Sequence, residues 1–156
     1  DILIKTLKKF RGLKYRQEII FEWKKLTIIN DSKATTFSSS AGILKSLTNV
    51  HWIVGGQAKK GDKLLLSKKN CKNFKAYIFG NDKKFFINRI KKFMNYEYFL
   101  DLKSLIKKLS LDIKVNKKIN HKTVLFSPSA ASFDSFKNFE KRGEYFNQLI
   151  NKYMNV

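Results

Sequence analysis

Short apolar runs recur at Leu26–Asn30 (LTIIN), Val50–Val54 (VHWIV), Phe74–Phe79 (FKAYIF), Tyr96–Leu100 (YEYFL) and Thr123–Phe126 (TVLF), each about the length of a buried strand. The segments between them carry helical spacing. Leu102, Leu105, Ile106 and Leu109 share one face behind Asp101, a predicted N-cap. Asn81 is predicted to cap a helix that buries Phe86, Ile90 and Phe93. The last segment sets Phe136, Phe139, Phe146, Leu149, Ile150 and Tyr153 on one face, with Asp134 where a helix dipole favours negative charge. Strands separated by helices of about ten or more residues imply parallel pairing through right-handed crossovers. The predicted fold class is therefore α/β, a Rossmann-like, mostly parallel sheet with helices on both faces. Ligands of open α/β sheets bind beyond the carboxyl ends of the strands, which singles out the loops after Ile29, Val54 and Phe126.

All three loops are rich in polar or glycine residues. The first, Asn30–Thr36 (NDSKATT), gathers a carboxylate, an ammonium and several hydroxyls, and reads either as an anion site or as a helix-capping loop. The second, Gly55–Asp62 (GGQAKKGD), has paired glycines that let backbone approach a ligand and lysines that supply charge; a tight turn with solvated lysines explains it equally well. It is not a P-loop, because Asp62 stands where the phosphate-binding lysine must be. The third, Ser127–Asp134 (SPSAASFD), places small residues before the last helix, whose N-terminal amides would suit a carboxylate. Serine-nucleophile chemistry is not supported, because no Gly-x-Ser-x-Gly elbow is present and His51 and His121 lie outside these loops.

Composition changes this picture little. A chain of 156 residues supports one core, and Pro128 is the only proline, so no proline-rich linker divides it. The net charge of +21 would ordinarily point to nucleic acid. Its arginines, however, are only Arg11, Arg16, Arg89 and Arg142, and its lysines are scattered rather than clustered, which favours solvated faces. The lone Cys71 allows neither an internal disulfide nor a cysteine-based zinc site, in keeping with a reducing compartment. The chain opens at Asp1 without an initiator Met or leader, and no apolar run approaches the roughly 18 residues of a membrane span. A soluble fragment is the expectation.

Taken together, NDSKAT at Asn30–Thr35, the glycine and lysine pattern at Gly55–Asp62 and SPSAASFDSFKNFEKRG at Ser127–Gly143 resemble the Mur ligase family, most specifically its D-glutamate-adding branch. Upstream, Phe10–Glu18 (FRGLKYRQE) is similar to that family's F-x-G-L-x-H-R-x-E segment, with Tyr15 in place of the usual histidine. The resemblance covers nearly the whole chain. It implies that residues 1–16 end a linker and hinge, and that residues 17–156 form a C-terminal amino-acid-binding Rossmann-like domain.

The implied reaction is ATP-dependent: the carboxylate of UDP-N-acetylmuramoyl-L-alanine is phosphorylated, and the amine of D-glutamate attacks the acyl phosphate. Carried over by motif, Arg16 and Asp31 would contact ATP, and Lys33 would lie at the phosphates or the reacting centre. Thr35, Lys59, Ser132, Phe133 and Phe139 would form the D-glutamate pocket, Phe133 through its backbone amide. No GTNGK-type loop, carbamylatable lysine or magnesium-binding residue of the family's central domain occurs here. The resemblance thus implies a truncated enzyme, inactive alone, that holds no metal itself although the complete enzyme uses ATP and Mg²⁺. A cytoplasmic monomer that binds neither nucleic acid nor membrane is expected. Alternative expectations are the corresponding domain of a sister Mur ligase or folylpolyglutamate synthase, or a basic nucleic-acid-binding module.

Overall fold

The computed structural model describes residues 12–115 and 121–154. Phe10 and Arg11 of the upstream motif, and most of the expected hinge, lie outside the described residues. The elements run β1 (Glu18–Trp23), β2 (Leu26–Asn30), α1 (Phe37–Ser46), β3 (Val50–Gly55), β4 (Lys75–Phe79), α2 (Lys83–Ile90), β5 (Asn95–Phe99), α3 (Leu102–Val115), β6 (Lys122–Phe126) and α4 (Phe139–Met154).

Among the described residues, six strands form one sheet in the order β1-β2-β6-β3-β4-β5. All neighbours are parallel except β1 and β2, which form an antiparallel hairpin. The predicted α/β architecture is the observed one. β3 and β6 are buried along their whole length, and β2 and β4 at every position after the first. This is why each reads as a near-continuous apolar run, the mark of a strand covered on both faces. Trp52 and Ile53, neighbours in β3, point into opposite layers. On one side α1 and α2 bring Phe37, Leu44, Phe86 and Ile90 against Val50, Trp52, Val54 and Ile78. On the other, α3 and α4 bring Leu105, Leu109, Phe146 and Ile150 against Ile28, Ile53, Tyr77 and Phe126.

Four local expectations need correction. The edge strand β1 carries no expected run, because its EIIFEW sequence mixes two glutamates with exposed Ile19 and Trp23. Asn81 does not cap α2; Asp82 occupies that position and accepts instead from the Ala58 amide at 2.7 Å. Phe93 falls beyond the end of α2. Finally, α4 starts only at Phe139: the Ser132 carbonyl accepts the Ser135 and Phe136 amides in a separate turn, and Asn138 Oδ1 accepts from the Lys141 amide at the true helix start. Phe136 therefore packs on Tyr145 from outside the helix, and Glu140 rather than Asp134 sits in its first turn. The expectation for Asp101 holds, since its Oδ1 accepts the Ser104 amide at 2.7 Å.

Candidate functional site

The three loops converge because β6, last in the chain, inserts between β2 and β3. The loop after β6 thereby lies between the other two. At the end of β3, Gly55 turns with φ of 140°, and a Cβ there would stand 2.0 Å from the Phe79 carbonyl oxygen, so no side chain fits. Two residues on, Gln57 exchanges backbone hydrogen bonds with Ala131, pinning the second loop to the third.

The first loop is fixed by groups from distant parts of the chain. Asn30 Nδ2 donates to the Gly143 carbonyl and to Asn147 Oδ1, while Asn30 Oδ1 accepts the Ser32 amide. Ser127 Oγ donates to Asp31 Oδ2 at 2.8 Å, and the Gln17 amide donates to Asp31 Oδ1 at 3.2 Å. Burial raises the Asp31 pKa above the usual carboxylate value, against the opposing pull of these two bonds and the Arg16 charge. Arg142 is fully buried, yet its guanidinium donates Nε to Ser32 Oγ (3.1 Å), Nη2 to the Ser32 carbonyl (2.7 Å) and Nη1 to the Ala130 carbonyl (2.9 Å). It ties the first loop to the third.

A recess of about 370 Å³ opens at this edge, lined by Arg16, Gln17, Asp31, Lys33, Ala34 and Ser39. Three of the expected site residues, Arg16, Asp31 and Lys33, meet there. Phe139, the first residue of α4, joins them through Lys33, whose Nζ stands 3.9 Å from its ring centroid. Thr35 is exposed beside the recess, one residue before Thr36, whose hydroxyl and the Ser39 hydroxyl form a capping box on α1.

Ser132, Phe133 and Lys59 do not line the recess. Ser132 is buried and Phe133 is 72% exposed, both beside Ala131 on the loop pinned to Gln57. Lys59 and Lys60 are both exposed on the second loop. Because α4 begins later than expected, the Ser127–Asp134 amides do not belong to a helix N-terminus; a turn separates them from it. Asp62, which stands where a P-loop needs lysine, accepts the Phe37 amide at 2.6 Å and so helps to seat α1. Sequence reasoning gave no role to Arg142, Gln17 or Ser127. Only the position of Arg142 in the KNFEKRG string offered a signal for it.

Among the described residues, no group of three or more His, Cys, Asp or Glu side chains is placed to hold a metal, and no helix is long and apolar enough to cross a membrane.

The domain presents Arg16, Lys33 and buried Asp31 at the carboxyl edge of a parallel sheet, the edge where open α/β sheets bind ligands. Comparison with known proteins gives its class. No protein-family model matches the chain. It is similar to UDP-N-acetylmuramoylalanine–D-glutamate ligases from Francisella philomiragia (38% identical over 151 residues, 94% of this chain and 35% of that protein) and from Wolbachia pipientis (36% over 150 residues, 96% and 29%). A third, from Trichodesmium erythraeum, is 38% identical over 153 residues, 96% of this chain and 32% of that protein. The chain spans about a third of the length of these relatives. A MurF ligase from Thermotoga maritima in complex with ADP is also similar, with 15% identity, a TM-score of 0.48 and coverage of 99% of this chain and 36% of that one. A score that low adds no weight.

Over nearly all of its length the chain is thus similar to part of a Mur ligase. Within that class, its sequence is homologous over nearly all of its length to the C-terminal portion of the ligases named for D-glutamate.

Proposed function

We propose that this chain works as the amino-acid-binding C-terminal domain of an ATP-dependent ligase that joins D-glutamate to UDP-N-acetylmuramoyl-L-alanine through an acyl phosphate. The observation that supports this reading is the recess in which Arg16 meets Asp31 and Lys33 of the first loop, a loop buttressed by Ser127 and Arg142. The domain boundary at residue 17, with a hinge before it, is part of the same proposal. So are a cytoplasmic setting, a monomeric state and the absence of nucleic-acid or membrane partners.

Both the phosphorylated intermediate and D-glutamate are anionic, so catalysis by such a domain is chiefly positioning and charge stabilisation. Arg16 supplies a cation for nucleotide phosphates. Asp31, acceptor-only when ionised, suits the donors of a ribose. Lys33 rests over Phe139 and is available to move onto the transferring phosphoryl group or the acyl phosphate. Thr35, Lys59 and Ser132 offer an alcohol, an ammonium and an alcohol to the two carboxylates of D-glutamate, with the Phe133 amide as a further donor and Phe139 as a wall. Magnesium, which the resemblance implies for the complete enzyme, finds no ligand set among the described residues. The isolated domain supplies binding groups and is expected to catalyse nothing alone.

The test uses the complete protein that carries this sequence. A charge-assisted hydrogen bond is worth about 1.5 to 3 kcal/mol, so Lys59→Ala should weaken D-glutamate use by roughly ten- to a hundred-fold. Lys60→Ala, on the same loop and equally exposed, should stay near wild type. Kinetics against D-glutamate at saturating ATP decide the matter. Equal behaviour of the two variants removes Lys59 from the pocket, and failure of the unmodified protein to consume D-glutamate removes the substrate assignment.

A further inference from the structure

Tyr15 does not line the recess, yet its surroundings hold it closely. Its amide donates to Glu18 Oε2 at 2.9 Å, and its carbonyl accepts the Lys33 amide at 3.0 Å. Its ring lies against Gly143 of α4, where an added Cβ would stand 2.4 Å from ring Cδ1; the three nearest atoms to that Cβ all belong to the Tyr15 ring. Glycine inside a helix weakens it relative to alanine. At Gly143 the missing side chain has a visible use, which is to receive the ring.

The backbone beside this contact is unusual. Tyr15 (φ 62°) and Gln17 (φ 48°) both adopt the left-handed conformation that non-glycine residues avoid. Such conformations persist only where the surrounding structure over-determines them. Between the two lies Arg16, and Arg16 with Gln17 forms one wall of the recess opposite Asp31 and Lys33. Two hydrogen bonds join the walls, from the Gln17 amide to Asp31 Oδ1 and from the Lys33 amide to the Tyr15 carbonyl. Neither bond uses the Tyr15 side chain. What that side chain adds is the link to α4, a part of the structure that Arg142 and Asn30 already fix to the first loop.

We propose that Tyr15 is a positioning residue with Gly143 as its seat, and that the docked ring holds the strained Arg16–Gln17 wall in register with Lys33 so that both cations face one ligand. The geometry stands by itself, while the nature of that ligand, a nucleotide phosphate, rests on the function proposed above.

Three variants of the 156-residue chain test this. Tyr15→Ala removes the ring. Gly143→Ala fills the seat, although alanine is the better helix former and would strengthen α4 if the ring were irrelevant. Tyr15→Phe keeps the ring. Amide hydrogen exchange followed by NMR reads the two bonds between the walls directly. Exchange at Lys33 and Gln17 should quicken at least about ten-fold in Tyr15→Ala and Gly143→Ala, with the central-strand amides of Trp52 and Leu125 unchanged and Tyr15→Phe like wild type. Wild-type protection at Lys33 and Gln17 in both disruptive variants would overturn the proposal, as would equal quickening throughout the sheet, which would make the contact a general stabiliser.

Titration with ADP separates the positioning role of Tyr15 from the nature of the ligand. If the chain binds ADP, the disruptive variants should bind it about ten-fold more weakly, and unchanged affinity would count against positioning. If wild type does not bind ADP, the nucleotide reading fails while the exchange result still decides the role of Tyr15.

Discussion

Replacing Arg142 with Met should destabilise the domain by about 2 to 4 kcal/mol. The guanidinium is fully buried, and no carboxylate lies within ion-pair distance of it among the described residues. Burial pulls its pKa down to about 10, against the raising influence of Asp134, so it stays charged at neutral pH and its desolvation is uncompensated by a close counterion. Three charge-assisted hydrogen bonds, to the Ser32 hydroxyl, the Ser32 carbonyl and the Ala130 carbonyl, oppose that cost. At about 1.5 to 3 kcal/mol each they outweigh a penalty of several kcal/mol only modestly.

Met fills much of the same volume but satisfies neither carbonyl. The Ser32 hydroxyl keeps its bond to the Phe139 carbonyl, so two acceptors are orphaned rather than three. With a urea m-value of about 2 kcal/mol/M, the unfolding midpoint should fall by about 1 to 2 M at unchanged m. Arg142→Lys, a point charge without the fork, should fall between. If Arg142→Met unfolds within about 0.5 kcal/mol of wild type, desolvation cancels the bonds and Arg142 does not hold the two loops together.

Burial, aided by the Lys122 and Lys75 charges, lowers the His51 pKa to about 4. A folded value below the unfolded one gives stability that is present above about pH 6.5 and lost as pH falls toward 4, on the order of 3 kcal/mol in all. Urea midpoints at pH 7 and pH 4.5 should therefore converge in His51→Gln, and an unchanged gap would refute the assignment. Gly55→Ala should lower stability by about 3 kcal/mol or more, because its Cβ would meet the Phe79 carbonyl at a positive φ. Gly42→Ala on α1, with nothing within 4 Å, should raise it by about 0.5 to 1 kcal/mol; thermal melts of the pair read opposite signs if the backbone geometry is right.

The central strands were legible because a strand buried on both faces must be apolar at every position, and LTIIN, VHWIV and TVLF are nearly so. β1 was not, since an edge strand is buried on one face at most and its turn at Lys24 (φ 48°) lacks the glycine or asparagine that announces such geometry. The start of α4 was misplaced because Phe136 keeps helical spacing with Phe139 while belonging to a separate turn. Periodicity alone cannot distinguish a side chain on a helix from one that packs beside it. Asn138, a strong capping type at the true boundary, held the missing signal.

The site was legible as three loops but not as a division of labour within them. Asn30 and Ser32 sit in a loop that reads as an anion site, yet both spend hydrogen bonds on the protein itself, as does Asp31 while still lining the recess. Their partners lie far away: 96 residues separate Ser127 from Asp31, and 110 separate Arg142 from Ser32. No local pattern encodes such pairs. What remains turned outward is a smaller set, with Arg16, Lys33, Thr35 and Lys59 offered by loops that the other residues hold still. Preorganisation of this kind has a topological condition. The loop after β2 acquires its buried partners only when β6 has entered between β2 and β3 and α4 has brought Arg142 under Ser32. The recess is therefore a product of the folded domain and not of the first loop alone.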